Sequence, residues 1–492
     1  MEQERFHNDM QITVKDIKED ACACEALILP AFEDVRHPYA RLTPSIGRLI
    51  TRFWNKEFKA AHNELLFIPS PDDIRPARIL FVGLGKKDLF TAEKARQSGG
   101  KALAYLRDMG VKNIAASMQT LRTFKKADRY FIEGALLGLY QFRKYRTDNH
   151  EKKIAGLTIL TKPSRELSEE IRHAQIIASA VAFTRDLVNT PANDMTPTDL
   201  ARAARSLKGK NISVKILGKK DARSLGMGAY LAVSLGSDEP SKFIVVEYKG
   251  RKTSPLVLIG KSITFDSGGL SLKPSEGMEK MKYDMAGGAA VLGTLKAVAE
   301  MKLPVHLIGL LPATENLPGG SATKPGDVVR SLDGKTIEIV NTDAEGRLAI
   351  ADAIDYAKRF KPRAIVDIAT LTGACAVALG GEAVAMMGND RGLLDAFRKA
   401  GEETYERVWE MPLFEEYKEY LKSDIADMKN VGGRMGSLIA SASFLQEFAG
   451  KTPWVHLDIA GTAWLEKDKP YIPKGASGIG VRLMLNVIIK PV

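Results

Sequence analysis

Apolar residues recur along this chain in two spacings. In the first third, short apolar runs ("EALILP", "ELLFIPS", "RILFVGLG", "KIAGLTILT") predict strands. Between them "TAEKARQSGGKALAYLRDM" has helical spacing. Residues 164–189 open on a serine, carry acids early and keep an apolar periodicity to the end, which predicts one long helix. Prolines in "TPANDMTPTD" stop it. Beyond it, "PLVLIG", "VHLIGLLPA", "TIEIV", "AIVDIATLTGA" and "WVHLDIA" are apolar almost throughout, as strands buried on both faces are. Helical stretches such as 287–301 separate them. The fold class is α/β. A smaller N-terminal α/β domain, residues 1–165, is joined by the long helix to a larger α/β domain, residues 166–492, with a central, mostly parallel sheet. There is no internal repeat and no low-complexity tract.

The stretch "VNTDAEGRLAIADA", residues 340–353, interrupts this pattern. Asp343, Glu345 and Arg347 stand at every second position. From Leu348 onward, Leu348, Ala351, Ile354 and Ala357 recur at helical spacing. Side chains two apart share a side only in an extended segment. The spacing therefore predicts an extended strand-to-helix connection that brings the three charges together. A solvated loop with an Arg–Glu pair fits the stretch equally well.

A second dense stretch is "LIGKSITFDSGGLSLKPSEGMEKMKYDMAGGAAVLG", residues 258–293. Lys261 closes a strand, Asp266 and Lys273 lie on a glycine-containing loop, and Asp284 precedes a helix. Lysine–aspartate pairs around a flexible loop are its plain explanation. Taken together, the two stretches supply Asp266, Asp284, Asp343 and Glu345. Four carboxylates in one cleft repel, and two divalent cations relieve that while activating water for hydrolysis. Oxygen-rich ligation suits Mg²⁺ or Mn²⁺, and Zn²⁺ also accepts Asp and Glu. A neutral lysine is a further ligand where a cation suppresses its pKa.

The totals narrow the class. The chain has 492 residues, 45% hydrophobic and 27% charged, with net charge +11, which are globular values. Cys22, Cys24 and Cys375 cannot build a disulfide framework, and no CxxC or Cys/His cluster is present. The opening "MEQERFHNDM" lacks a basic-then-apolar leader pattern. The longest weakly polar run, 376–388, is broken by Glu382 and too short to span a bilayer. A reducing cytoplasmic setting without a membrane partner is expected. "VGLGKKD" (82–88) lacks the spacing of a phosphate loop and reads as a strand-ending turn. His306 and His456 read as core histidines. Residues 121–153 hold nine basic residues against four acidic ones. That excess raises DNA as a partner, although a solvated face explains it more simply.

"GKSITFDSGGLSLKP", "MKYDMAGGAA" and "NTDAEGRL" closely resemble the leucyl (cytosol) aminopeptidase family of dizinc exopeptidases. The likeness continues through "ENLPGGSATKPGDV", "DIATLTGA", "SDIADMKNVGG" and "WVHLDIAGTAW", and covers nearly all of residues 180–490. The N-terminal third matches only in general layout. The resemblance implies two Zn²⁺ or Mn²⁺ ions per subunit. Lys261, Asp266, Asp284 and Glu345 match ligands of the tighter site; Asp266, Asp343 and Glu345 match those of the more exchangeable one. Lys273 and Arg347 match the catalytic positive residues, with Arg347 holding a bicarbonate that serves as general base. Thr370, Leu371 and Gly373 match a segment that meets the substrate through main-chain groups, as Lys273 does through its side chain. Met281 matches a residue of the first side-chain pocket and suits Leu or Met. The implied reaction releases the N-terminal amino acid of a peptide, and the implied assembly is a homo-hexamer. The rival readings are a two-metal phosphoesterase and an added DNA-binding role for the basic N-terminal domain.

Overall fold

The computed structural model describes residues 10–35, 39, 44–148, 151–207, 209 and 211–490. All but Met10 of the stretch read above for a leader lies outside the described residues. The chain forms two compact units: Met1–Ala182 with Lys467–Lys474, and Phe183–Glu466 with Gly475–Val492. The division falls inside the long helix Arg165–Asn189, whereas the sequence places it at the start of that helix. The helix periodicity runs unbroken past the point of division, and the eight residues that return to the first unit carry no sequence signal.

In the first unit six strands make one sheet, in the order Gln11–Lys15, Gly156–Leu160, Asn113–Ser117, Ala26–Ala31, Arg78–Gly83, Leu65–Pro69. All neighbours are parallel except the last pair. Ala26–Ala31 is buried at every position, as a central parallel strand covered on both faces must be. The helices Ala92–Asp108 and Ala127–Gly138 are joined by a buried ion-pair group, in which Arg96 Nη1 lies 2.9 Å from Glu93 and Nε 3.0 Å from Glu133. The strand before "GKKD" ends at Gly83, and the chain then makes a 3₁₀ turn at Lys87–Leu89.

In the second unit nine strands form the main sheet. Eight run in the order Val408–Glu410, Val384–Gly388, Trp454–Asp458, Ala364–Ala369, Leu256–Gly260, His306–Asn316, Lys242–Lys249, Ile212–Leu217. The four strands from Trp454–Asp458 to His306–Asn316 are mutually parallel. Ser262–Asp266 extends the sheet by pairing with the far end of His306–Asn316. The helices Ala286–Glu300 and Gly346–Ala357 are buried along most of their lengths.

One expected strand is elsewhere. Thr336–Glu338 lies in a separate three-stranded sheet with Val328–Arg330 and Met428–Lys429. Its apolar, β-branched sequence predicts a strand but does not say which sheet receives it. Among the described residues no helix is long and apolar enough to cross a membrane, and Cys22, Cys24 and Cys375 are free.

Candidate metal centre

The central strand Leu256–Gly260 delivers Lys261 at its carboxyl end, where open α/β sheets form their sites. The chain then enters Ser262–Asp266, so Asp266 is the last residue of a strand and not a loop residue. Gly268 and Gly269 follow with φ of +87° and +65°, a left-handed turn that L-residues resist. A methyl group at Gly268 would also lie 2.8 Å from Asp343 Oδ1. Asp284 sits in the 3₁₀ segment Met278–Met285, just ahead of the helix Ala286–Glu300.

The other stretch is not extended. Glu345 has helical dihedrals (φ −77°, ψ −36°), and the helix Gly346–Ala357 starts immediately after it. Asp343 and Glu345 still meet, through a turn rather than through alternation. Arg347 lies in the first helical turn, 6% exposed.

The two stretches are knitted together. Thr342 Oγ1 donates to Gly268 O at 2.7 Å and accepts from Ser271 N at 2.8 Å. Asn316 Nδ2 donates to Asp266 Oδ1 at 2.8 Å and to Thr342 O at 3.0 Å. Asp266, Asp343 and Glu345 each offer a carboxylate oxygen, all within 4.8 Å of one another. Asp284 joins them through Lys261, whose Nζ stands 2.8 Å from Asp284 Oδ2, 2.7 Å from Glu345 Oε1 and 3.0 Å from Thr370 O. Lys273 Nζ lies 2.9 Å from Asp266 Oδ2 and 2.5 Å from Asp343 Oδ1.

This cluster sets four carboxylates against three cationic side chains. Burial pushes Asp284, Asp343 and Glu345 above the usual carboxylate range, although Lys261 and Lys273 pull the other way. Burial alone would lower Lys261 and Lys273, but the surrounding carboxylates outweigh it and raise both. Burial brings Arg347 down to about 10, still a cation at neutral pH. Glu345 Oε2 is buried with no hydrogen-bond partner among the described residues, and so is Arg347 Nε. A partnerless buried carboxylate oxygen and a partnerless buried guanidinium N–H are costly unless a cation and an anion meet them. The donor set therefore fits divalent metal ions, with an anion beside Arg347.

The segment expected to meet substrate adjoins the cluster. Thr370 Oγ1 donates to Asp284 Oδ1 at 2.7 Å. Leu371 N donates to Asp458 Oδ1 at 3.2 Å. Gly373 opens the helix Gly373–Leu379, and a methyl group there would meet nothing within 4 Å. Met281 is half-buried on the Met278–Met285 segment. His456 is buried with Nδ1 2.5 Å from Asp367 Oδ1, while its Nε2 has no partner among the described residues, so this core histidine is only half satisfied. His306 is satisfied at both nitrogens, by Thr253 O at 2.7 Å and Glu247 Oε1 at 2.9 Å.

Sequence reasoning missed Asn316, Asn430 and Asp458. Asp458 accepts from Leu371 N, Thr372 Oγ1 and Ala460 N. All three residues lie in stretches quoted above for the resemblance, but two are uncharged and the third sits inside an apolar strand.

Comparison with known proteins agrees with this geometry. A family model described as "Cytosol aminopeptidase family, catalytic domain" matches residues 182–485, and one described as "Cytosol aminopeptidase family, N-terminal domain" matches 41–149. A "Probable cytosol aminopeptidase" of Geobacter sp. (strain M21) is 47% identical over 478 residues, 95% of this chain and 97% of that protein. One from Geobacter sulfurreducens is 44% identical over 493 residues, covering 97% and 99%. Among solved structures, "Bottromycin maturation enzyme BotP in complex with Mn" superposes with a TM-score of 0.85 at 32% identity, covering 95% of this chain and 99% of that one. The chain belongs to the cytosol aminopeptidase family and is a metal-dependent hydrolase of the aminopeptidase type.

Proposed function

We propose that the chain releases N-terminal amino acids, Leu-like ones preferred, from peptides at a two-metal site. The observation that carries this is the convergence of Asp266, Asp343 and Glu345, with oxygens within 4.8 Å of one another, beside Lys261 and Asp284. Lys261, Asp266, Asp284 and Glu345 would hold one ion. Asp266, Asp343 and Glu345 would hold the other, with Asp266 and Glu345 serving both. When bound, the ions polarise the scissile carbonyl and lower the pKa of a water. Carboxylate oxygens suit Mn²⁺ and accept Zn²⁺. The BotP structure, described as a complex with Mn, favours Mn²⁺.

The chain's own residues do the rest. Lys273 keeps its charge and 22% of its side-chain surface exposed, so it is available to stabilise an oxyanion developing on the substrate. Arg347 offers its unpartnered Nε to an anion such as bicarbonate, which supplies a base. Main-chain groups of Thr370, Leu371 and Gly373 align the peptide, and Met281 lines the first side-chain pocket. The homo-hexamer rests on the family resemblance alone. The cytosol names of the relatives support a cytoplasmic location.

The deciding experiment sets a leucine p-nitroanilide against a phosphodiester, each with added Mn²⁺. Anilide hydrolysis alone supports the reading. Phosphodiester hydrolysis alone replaces it.

A further inference from the structure

The stretch that carries Asp343 is irregular chain between the strand Thr336–Glu338 and the helix Gly346–Ala357. Such a loop cannot hold a ligand oxygen in place by itself; neighbouring groups must fix it. Thr342, bonded to Gly268, Ser271 and Asn316, holds one side of the loop, and one buried side chain holds the other. Asn430 is 0% exposed and follows Met428–Lys429, the strand that pairs in parallel with Thr336–Glu338. Its Oδ1 accepts from Val340 N at 2.9 Å and from Asn341 N at 3.4 Å. Its Nδ2 donates to Asn341 O at 2.7 Å and to Ala344 O at 3.5 Å. Its main-chain carbonyl accepts from Arg347 Nη1 at 2.8 Å. The constraint passes on to Asp343, whose N–H donates to Asn341 Oδ1 at 2.8 Å.

We propose that Asn430 is a positioning residue for the metal site: its amide fixes the 340–344 loop, and with it Asp343, while its carbonyl orients Arg347. The proposal rests on the two-metal reading above. An asparagine is suited because its planar amide carries a donor and an acceptor side by side, the pair a peptide unit presents. Alanine offers neither, and aspartate offers no donor. Asp343 serves only the second ion in that reading. Loss of Asn430 therefore weakens the second ion and spares the one held by Lys261 and Asp284.

The test compares wild-type protein, Asn430→Ala and Asn430→Asp, all stripped of metal, by hydrogen–deuterium exchange and by Mn²⁺ titration. Asn430→Asp keeps shape and acceptor, so it still decides the matter if the alanine variant fails to fold. The expected result is faster exchange at Val340 and Asn341 in the alanine variant, a smaller rise in the aspartate variant, and unchanged exchange along Leu256–Gly260. Affinity for the weaker Mn²⁺ falls about 10- to 100-fold, with the tighter one unchanged. Wild-type exchange and Mn²⁺ affinity in both variants overturn the proposal alone, as does faster exchange spread evenly over the whole catalytic unit. No Mn²⁺ uptake by the wild-type protein overturns the metal reading and the proposal with it.

Discussion

Lys261 fills the space that Gly346 leaves open: a methyl group on Gly346 would lie 2.5 Å from Lys261 Cε and 2.8 Å from its Nζ. The start of one helix thus sets the path of a side chain from a different strand. Lys261 has little room to yield, being 3% exposed and tied to two carboxylates and a carbonyl. Gly346→Ala is expected to push the amine away from Asp284 and Glu345. Overpacking of this kind costs about 1–3 kcal/mol, and metal content after dialysis should fall with activity. A fully active, fully loaded alanine variant would remove the argument.

The two lysines should separate by experiment. Lys261→Ala is expected to lower metal affinity, with partial rescue by excess Mn²⁺ or Zn²⁺. Lys273→Ala should retain both ions and lose turnover about 10²–10³-fold, as for one oxyanion donor. Its KM should move less, because the charge it meets exists mainly in the transition state. Metal stoichiometry and steady-state kinetics on both variants check this. A metal lost from Lys273→Ala reverses the assignment.

Chelation should abolish peptide hydrolysis, and Mn²⁺, Zn²⁺ or Co²⁺ should restore it. Asp266, Asp343 and Glu345 converge on one point, and a divalent ion held there would lower the pKa of a water enough for attack. Undiminished turnover in protein verified as metal-free contradicts the reading.

Asp352 supplies a pH dependence remote from the metal ligands. Burial raises it to about 7, against the pull of two main-chain donors, Tyr230 N at 2.8 Å and Leu332 N at 2.7 Å. The unfolded value is near 3.8. Between these values the folded chain holds a proton that the unfolded chain has released. This contribution to stability is complete below the unfolded value and is lost as pH rises through 7, at up to about 1.4 kcal/mol per pH unit. An amide in place of this carboxyl cannot titrate, so the stability difference between wild type and Asp352→Asn should narrow or reverse from pH 4.5 to 8. Urea midpoints across that range measure it, and a constant difference refutes it.

Much of this was legible in the chain, for physical reasons. Strands such as Leu256–Gly260 and Ala364–Ala369 are buried on both faces, and that burial writes itself as unbroken apolar sequence. The charged residues of the site announce themselves because charge is costly in such surroundings. The alternation of Asp343, Glu345 and Arg347 misled as to conformation. Glu345 stands at the helix N-cap with no side-chain capping bond, since its carboxylate faces Lys261 instead, so the usual helix-start signal is missing. Asn316 and Asn430 act through uncharged amides, which no charge pattern reveals.

The chain reaches Asp343 from the outlying three-stranded sheet, whereas Lys261 follows and Asp266 ends a strand of the main one. A three-stranded sheet of two- and three-residue strands opens more readily than a nine-stranded core. The enzyme should therefore have two melting points. On warming, catalysis fades first while the circular dichroism stays native, and prompt cooling returns it in full. Only at a higher temperature does the main sheet fail, and that loss is the one a storage half-life records.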